Sequence, residues 1–253
     1  MEAPAVRFDI ITLFPELFAP LLTAGITRRA YESALVDVHL HNPRDFASGN
    51  YRRVDDRPFG GGPGMVMMAE PLEAALLAIR AQRQDAVPVV LFSPIGAPLH
   101  HGAVEQWSRS AGAILLCGRY EGIDQRFIEK YVDQQISLGD FVLSGGEIAA
   151  MALLDAVARL QPGVLSDADS HHQDSFNPAL DGLLDCPHYT RPEEWSGVPV
   201  PPVLMSGHHA RIEEWRRAQR LQLTALHRPD ILDKARAQGH ITAAEERLLQ
   251  PKD

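Results

Sequence analysis

Apolar and polar positions along this chain fall into two regimes. In the first, short apolar runs alternate with amphipathic stretches: Val6 to Leu13, Ala34 to Leu40, Pro88 to Phe92 and Ala113 to Cys117 read as strands, whereas Glu16 to Thr23, after Pro15, and Pro71 to Gln82 read as helices. That alternation predicts an α/β domain with a mostly parallel sheet. A further helix opens at Gly145-Gly146-Glu147 and runs to about Leu160, with Ile148, Met151, Leu154, Val157 and Ala158 on its apolar side, until Pro162-Gly163 stops it. Ser166 to Gln173 has no apolar periodicity and reads as a linker. Beyond Asp174 a proline-rich section leads into helices at His208 to about Leu226, Ile231 to Ala237 and Ala243 to Leu249, with no strand signal of comparable strength. The expectation is an α/β domain over residues 1–165, a linker over 166–173 and a small, mainly helical domain over 174–253.

Glycine-rich loops follow the strands. Loops 91–98, 117–122 and 137–146 all lie at the ends of expected strands, where open α/β sheets bind ligands. No strand runs into Gly-x-Gly-x-x-Gly with an acidic residue about 20 positions on, and no Walker A motif is present, which sets aside nicotinamide enzymes and P-loop nucleotidases. A small ligand with an adenine-like ring and a charged tail would suit the backbone groups of such loops. The alternative is that the glycines only serve turns. A long polar loop from Asn42 to Met68 is of a length that is usually functional or disordered.

Composition narrows the setting. The 253 residues carry a net charge of −9, which argues against coating nucleic acid by bulk attraction. Local recognition is still open, because between Arg211 and Arg236 six arginines and Lys234 face only Glu213, Glu214, Asp230 and Asp233. Apolar runs fall short of the roughly 18–20 residues that span a bilayer, the N-terminus lacks a secretory layout, and there are only two cysteines, Cys117 and Cys186. A cytoplasmic protein with no membrane contact is expected.

Several long motifs resemble one family. They are Asp55-Asp56-Arg57-Pro58-Phe59-Gly60-Gly61-Gly62-Pro63-Gly64-Met65, the loops from Leu115 to Asp124 and from Ser137 to Glu147, Gly182 to Pro192 and Val203 to His209. Together they are similar to the bacterial tRNA (guanine-N1)-methyltransferases, the TrmD family, from about Phe8 to Leu232. Phe59 and Phe141 stand where that family would have tyrosine, which removes two hydroxyls without altering ring packing.

The resemblance implies the SPOUT fold, a parallel α/β domain with a trefoil knot, one of the few exceptions to unknotted chains. It implies S-adenosylmethionine held by the knot loops: Leu91, Ser93, Pro94 and Gly96 in the first, Gly118, Tyr120 and Glu121 in the second, and Leu138, Gly139, Asp140, Phe141, Val142, Leu143, Gly145 and Gly146 in the third. It also implies a homodimer with shared active sites. The substrate it implies is tRNA with guanosine at position 37, just 3′ of the anticodon, preceded by another guanosine. By position in the family pattern Asp174 would be the general base that takes the N1 proton, and Arg159 the cation that stabilises charge on O6. Asp174 lies just past the linker, so ordering of the linker on tRNA binding could carry the base into place. Glu121 and Asp140 could orient the methionine amine or hold Mg2+, which the family is thought to use. RNA contact would fall on Arg57 and its neighbours in the Arg44 to Arg57 loop, and on Ser206, His208, Arg216 and Arg220.

Each assignment has a plainer alternative. Asp174 could cap a turn, Arg159 could pair with Asp155 four residues earlier, and the helical arginines could be a solvated face. Cys186 and His188 lack a second pair at zinc spacing, so no structural metal is expected. A ribose-methylating knotted enzyme would not need the Asp174 segment, and a silent RNA-binding relative should have lost part of the set.

Overall fold

The computed structural model describes residues 5–165 and 170–249. Residues 166–169 of the expected linker lie outside it, and the rest of that stretch, Ser170–Gln173, is a short 3-10 turn. The chain divides into two compact units between Ser166 and Asp167.

The first unit is built on β1 (Val6–Ile11), α1 (Ala19–Thr23), α2 (Arg28–Glu32), β2 (Val36–His41), β3 (Asp55–Asp56), β4 (Val66–Met67), α3 (Ala69–Gln82), β5 (Val89–Pro98), α4 (His101–Ser108), β6 (Gly112–Leu116), α5 (Gln125–Tyr131), β7 (Gln134–Ser137) and α6 (Glu147–Arg159). Five strands form one sheet in the order β2-β1-β6-β5-β7, every neighbouring pair parallel. Side chains of a strand alternate between faces, so each central strand feeds two cores. Phe8 and Ile10 of β1, Val90 and Phe92 of β5, and Ala113 and Leu115 of β6 pack with Ala150, Leu153, Leu154 and Val157 of α6. Their neighbours Ile11, Val89, Leu91, Ile114 and Leu116 pack with Leu72, Leu76 and Ile79 of α3 and Phe127 of α5. A sheet covered on both faces needs continuous apolar runs, which is why these strands were conspicuous in sequence.

The parallel arrangement decides where the loops go. The C-terminal ends of β6, β5 and β7 are adjacent and point the same way, so the segments that follow them emerge together. β5 also runs further than the sequence indicates: pairing with β7 breaks after Phe92 and resumes at Ala97, leaving residues 93–96 as a bulge within the strand. At Gly96 an added Cβ would lie 2.4 Å from the backbone nitrogen of Ile136, so glycine is what allows the two strands to close again after the bulge.

One buried charge network ties the opposite end of the sheet. Asp9 on β1 is fully buried and is approached by Arg83 Nη1 at 2.8 Å, Arg7 Nη2 at 2.9 Å and His41 Nε2 at 2.9 Å. Arg83, just past α3, also donates to the carbonyls of Arg7 and Ala111, both at 3.1 Å, and to Asp85. Burial acts to raise the Asp9 pKa, but the hydrogen bonds from His41, Arg7 and Arg83 outweigh it and hold the carboxyl well below the usual range.

The second unit contains β8 (Glu194–Trp195), β9 (Val198–Pro199), α7 (Pro202–Met205), α8 (His209–His227), α9 (Pro229–Ala237) and α10 (Ala243–Leu248). Leu183, Leu221, Leu232 and Ala235 form its small core. The antiparallel pair β8-β9 turns at Ser196-Gly197, both at positive φ, in a region where no strand was expected.

Removing Arg83 takes from Asp9 its one fully buried counter-charge and leaves only the more exposed Arg7 and His41. Arg83→Met is therefore expected to lose about 3 kcal/mol of stability at neutral pH, measured by urea unfolding. Because the Asp9 pKa is depressed on folding, its contribution is present above the ordinary aspartate range and disappears as pH falls through the lower folded-state value. The difference between wild type and Arg83→Met should accordingly shrink in acid; a constant difference would assign the loss to packing.

Candidate functional site

The bulge in β5, the loop after β6 and the loop after β7 line one open cavity of ≈ 440 Å³. That volume is in the range of small-ligand sites. Of the residues singled out in sequence, Leu91, Ser93 and Pro94 line it from the bulge, Gly118, Tyr120 and Glu121 from the second loop, and Leu138, Gly139, Phe141, Val142, Leu143, Gly145 and Gly146 from the third. Two named residues do not. Gly96 is pressed against the Ile136 backbone and serves strand pairing, and Asp140 is exposed outside the lining. Residues that were not singled out, including Ile95, Arg119, Gln125, Gln135 and Ala149, complete the wall.

The loops close on one another through glycine. The Gly146 N–H donates to the Gly118 carbonyl at 3.1 Å, and a Cβ on Gly146 would lie 2.8 Å from Cys117 Cα. At Gly145 it would lie 2.3 Å from Arg119 Nε. The first turn of α6 thus enters the core against bare backbone, with its free N–H groups near the cavity.

The long polar loop is fastened to the same place. Glu121 N–H donates to the Met65 carbonyl at 2.9 Å, Met67 N–H to the Gly122 carbonyl at 2.8 Å, and Asp124 N–H to the Met67 carbonyl at 3.0 Å. Gly64 lies under Glu121, whose carboxylate would be 2.3 Å from a Cβ there. Arg44 Nη2 donates to the Tyr120 hydroxyl at 3.4 Å. Burial, and then the charge of Asp55, push the Tyr120 pKa up, so the phenol keeps its proton at neutral pH and can donate a hydrogen bond. At the tip, Arg57 is exposed and Phe59 is wholly exposed.

Cys117 directly follows β6, next to the lining residue Gly118, but complete burial, followed by the charge of Glu147, pushes its thiol pKa well up. It is a core side chain and not a nucleophile. Arg159 occupies the last turn of α6, where the negative end of the helix dipole favours a cation.

In the second unit, the segment bearing Asp174 is pinned from both sides. The Asp174 carbonyl accepts from Asn177 N–H at 3.2 Å, and Phe176 N–H donates to the Leu183 carbonyl at 2.9 Å. Ser175 Oγ accepts from Asp185 N–H at 2.9 Å, and buried Thr224 of α8 accepts from Leu184 N–H at 3.0 Å. Asp174 therefore sits in a turn braced against α8.

The arginines of α8 do not form the uniform face that the sequence allowed. Arg220 is only 6% exposed and lies against Asp185 and Glu213, because the Asp185 carboxylate below it needs a counter-charge. Arg217 binds Asp181, Glu245 and the His240 carbonyl, tying α8 to α10. Arg216 stays partly exposed beside Glu213. Ser206 and His208 build the start of α8: Ser206 Oγ accepts from His208 N–H at 3.2 Å, and His208 Nδ1 accepts from Arg211 N–H at 3.3 Å.

Comparison with known proteins agrees with these motifs. The family model described as tRNA (guanine-1)-methyltransferase TrmD matches residues 6–234. A protein of Albidiferax ferrireducens named tRNA (guanine-N(1)-)-methyltransferase is 72% identical, covering 96% of this chain and 98% of its own. A Polaromonas protein of the same name is 71% identical over 96% of both chains. A third, from Bordetella parapertussis, is 56% identical, again over 96% of both.

The glycine contacts can be tested by adding single methyl groups. Gly146→Ala should cost about 1–3 kcal/mol in denaturant unfolding, because the atoms it meets are backbone. Gly102→Ala in α4, where the nearest atoms are 3.4 Å away in the His100 ring, should be neutral or stabilising by less than about 1 kcal/mol.

Proposed function

The chain belongs to the tRNA (guanine-1)-methyltransferase TrmD family, and on that footing we propose that it transfers a methyl group from S-adenosylmethionine to N1 of the guanosine at tRNA position 37. The observation that carries this reading is the convergence of the three loops on one cavity, whose lining combines apolar side chains with the glycines at 118, 122, 139, 145 and 146. A nucleoside ring can be held there by amides and carbonyls, with Tyr120 as a neutral donor at the rim. Glycine at 145 and 146 lets the third loop and the start of α6 close on Arg119 and Cys117, which brings the cavity walls together. When bound, the cofactor supplies an activated methyl group on a sulfonium. The reading includes the family's trefoil knot, supported by the adjacent parallel strands β6, β5 and β7 and by α6 entering against the loop after β6.

The rest is acid–base chemistry. Guanine N1 carries a proton at neutral pH and attacks poorly until it is removed. Asp174 is the proposed base, held ready in a turn braced against α8, and Arg159 is the proposed cation for the charge that spreads onto O6. The two belong to different units of the chain, and the reading takes each active site to be assembled in a homodimer, as in the family. Helix α6 supports this division of labour: its N-terminal turn faces the cavity and its last turn carries Arg159.

For RNA contact we propose the exposed Arg57 loop together with Ser206, His208 and Arg216 at and near the start of α8, with Arg220 supporting Asp185 from within. The cytoplasm, where tRNA is modified, is the proposed location; among the described residues no helix is long and apolar enough to cross a membrane. Magnesium is a different case. Asp140 lies outside the cavity lining, and Glu121 is packed over Gly64. The only triad of metal-capable side chains among the described residues is Asp185, Cys186 and His188, in the second unit.

The test uses an unmodified tRNA transcript with guanosine at positions 36 and 37, beside one with adenosine at 37. Methyl transfer to N1 of the first and none to the second is expected. Asp174→Asn should retain binding of S-adenosylhomocysteine and tRNA but lower the single-turnover rate at least about 100-fold. A near-normal rate in that variant would remove Asp174 as the base.

A further inference from the structure

Glu147 is the first residue of α6 and its side chain is 1% exposed, an uncommon place for a carboxylate. Its Oε1 accepts from Thr12 Oγ1 at 2.9 Å, and its Oε2 lies 2.9 Å from Arg119 Nε. Both Oε2 and Nε are shielded from solvent and neither makes a well-aligned hydrogen bond, so charge alone holds them at that distance. Arg119 also donates to the carbonyl and hydroxyl of Ser144 at 3.2 and 3.4 Å, and its guanidinium lies over the Phe14 ring. One ion pair therefore touches the segment after β1, the loop after β6, the loop after β7 and the first turn of α6. Glu147 and Thr12 lie behind the cavity wall, whereas Arg119 is part of that wall, with its guanidinium held by Glu147, Ser144 and Phe14.

We propose that Thr12, Glu147 and Arg119 form a positioning strut that fixes the spacing of the second and third loops and thereby sets the affinity for the cofactor. The proposal rests on the cofactor reading given above. Arg119 and Ser144 belong to opposite walls of the cavity, and glycine at 145 is what makes room for the ion pair: an added Cβ there would lie 2.3 Å from Arg119 Nε and 2.5 Å from Glu147 Oε2. Neutralising Glu147 leaves Arg119, only 18% exposed, beside an amide that cannot balance its charge. The two walls then lose their common anchor, while the Asp174 segment is untouched.

Glu147→Gln keeps the shape and the Thr12 contact but removes the charge. Titration calorimetry with S-adenosylhomocysteine should show Kd rising about tenfold. In methyl transfer, KM for S-adenosylmethionine should rise in parallel with little change in kcat or in tRNA affinity. Should Glu147→Gln fail to fold, Thr12→Val is expected to weaken binding and Thr12→Ser, which keeps the hydroxyl, to restore it. Folded variants with wild-type Kd and only a lowered Tm would overturn the strut as a positioning device. Wild-type protein that binds no S-adenosylhomocysteine would instead overturn the cofactor reading, and the strut with it.

Discussion

The close approach of α6 to the loop after β6 is the constraint on which the site depends. Gly146 donates to Gly118 across 3.1 Å, in a space that no side chain could share. That contact puts the helix N-terminus at the cavity and its apolar side, Ala150, Leu153, Leu154 and Val157, against the sheet. Burying such a side chain contributes about 1.5–3 kcal/mol, so the anchor is strong enough to hold loops whose own packing is sparse. The loops are then free to present backbone groups to a ligand.

Charge is arranged in the same spirit at the two ends of the sheet. At one end Asp9 and Arg83 join β1, β6 and the end of α3; at the other Glu147 and Arg119 join the walls of the cavity. In both places a buried acid is neutralised by an arginine that also donates to backbone carbonyl oxygens, those of Arg7 and Ala111 at one end and of Ser144 at the other, so the arginine ties the acid to neighbouring segments of the chain. The sheet is thus clamped at both ends, and the proposed ligand meets a wall whose position is set before binding. Preformed walls reduce the ordering that binding would otherwise require.

How much was legible in the sequence follows from what each element buries. β1, β6, α3 and α6 were readable because their apolar positions face a core directly. β7 was recognisable only by its loop, since an edge strand reading Gln-Gln-Ile-Ser buries little beyond Ile136 and Ser137. α4 buries only Val104 and is started by the His100 ring accepting from Ala103 N–H, a cap that periodicity does not reveal. The Ser-Gly turn of β8-β9 was visible as a dipeptide, but the strands beside it are two residues each. At the site, the glycines announced the loops, whereas Gly96 proved to serve strand pairing and Arg220 an internal carboxylate. Arg119 lay inside a conspicuous motif without standing out, because its partner Glu147, and Thr12 that bonds Glu147 in turn, are far from it in sequence and meet only through the fold.

The central claim is that the bulge in β5 and the loops after β6 and β7 are one cofactor pocket. Amide hydrogen exchange of the intact protein with and without S-adenosylhomocysteine addresses it most directly. Increased protection concentrated in residues 91–97, 117–122 and 137–147 is the predicted result. Binding without added protection in those three segments, or with protection confined to the second unit, would contradict it.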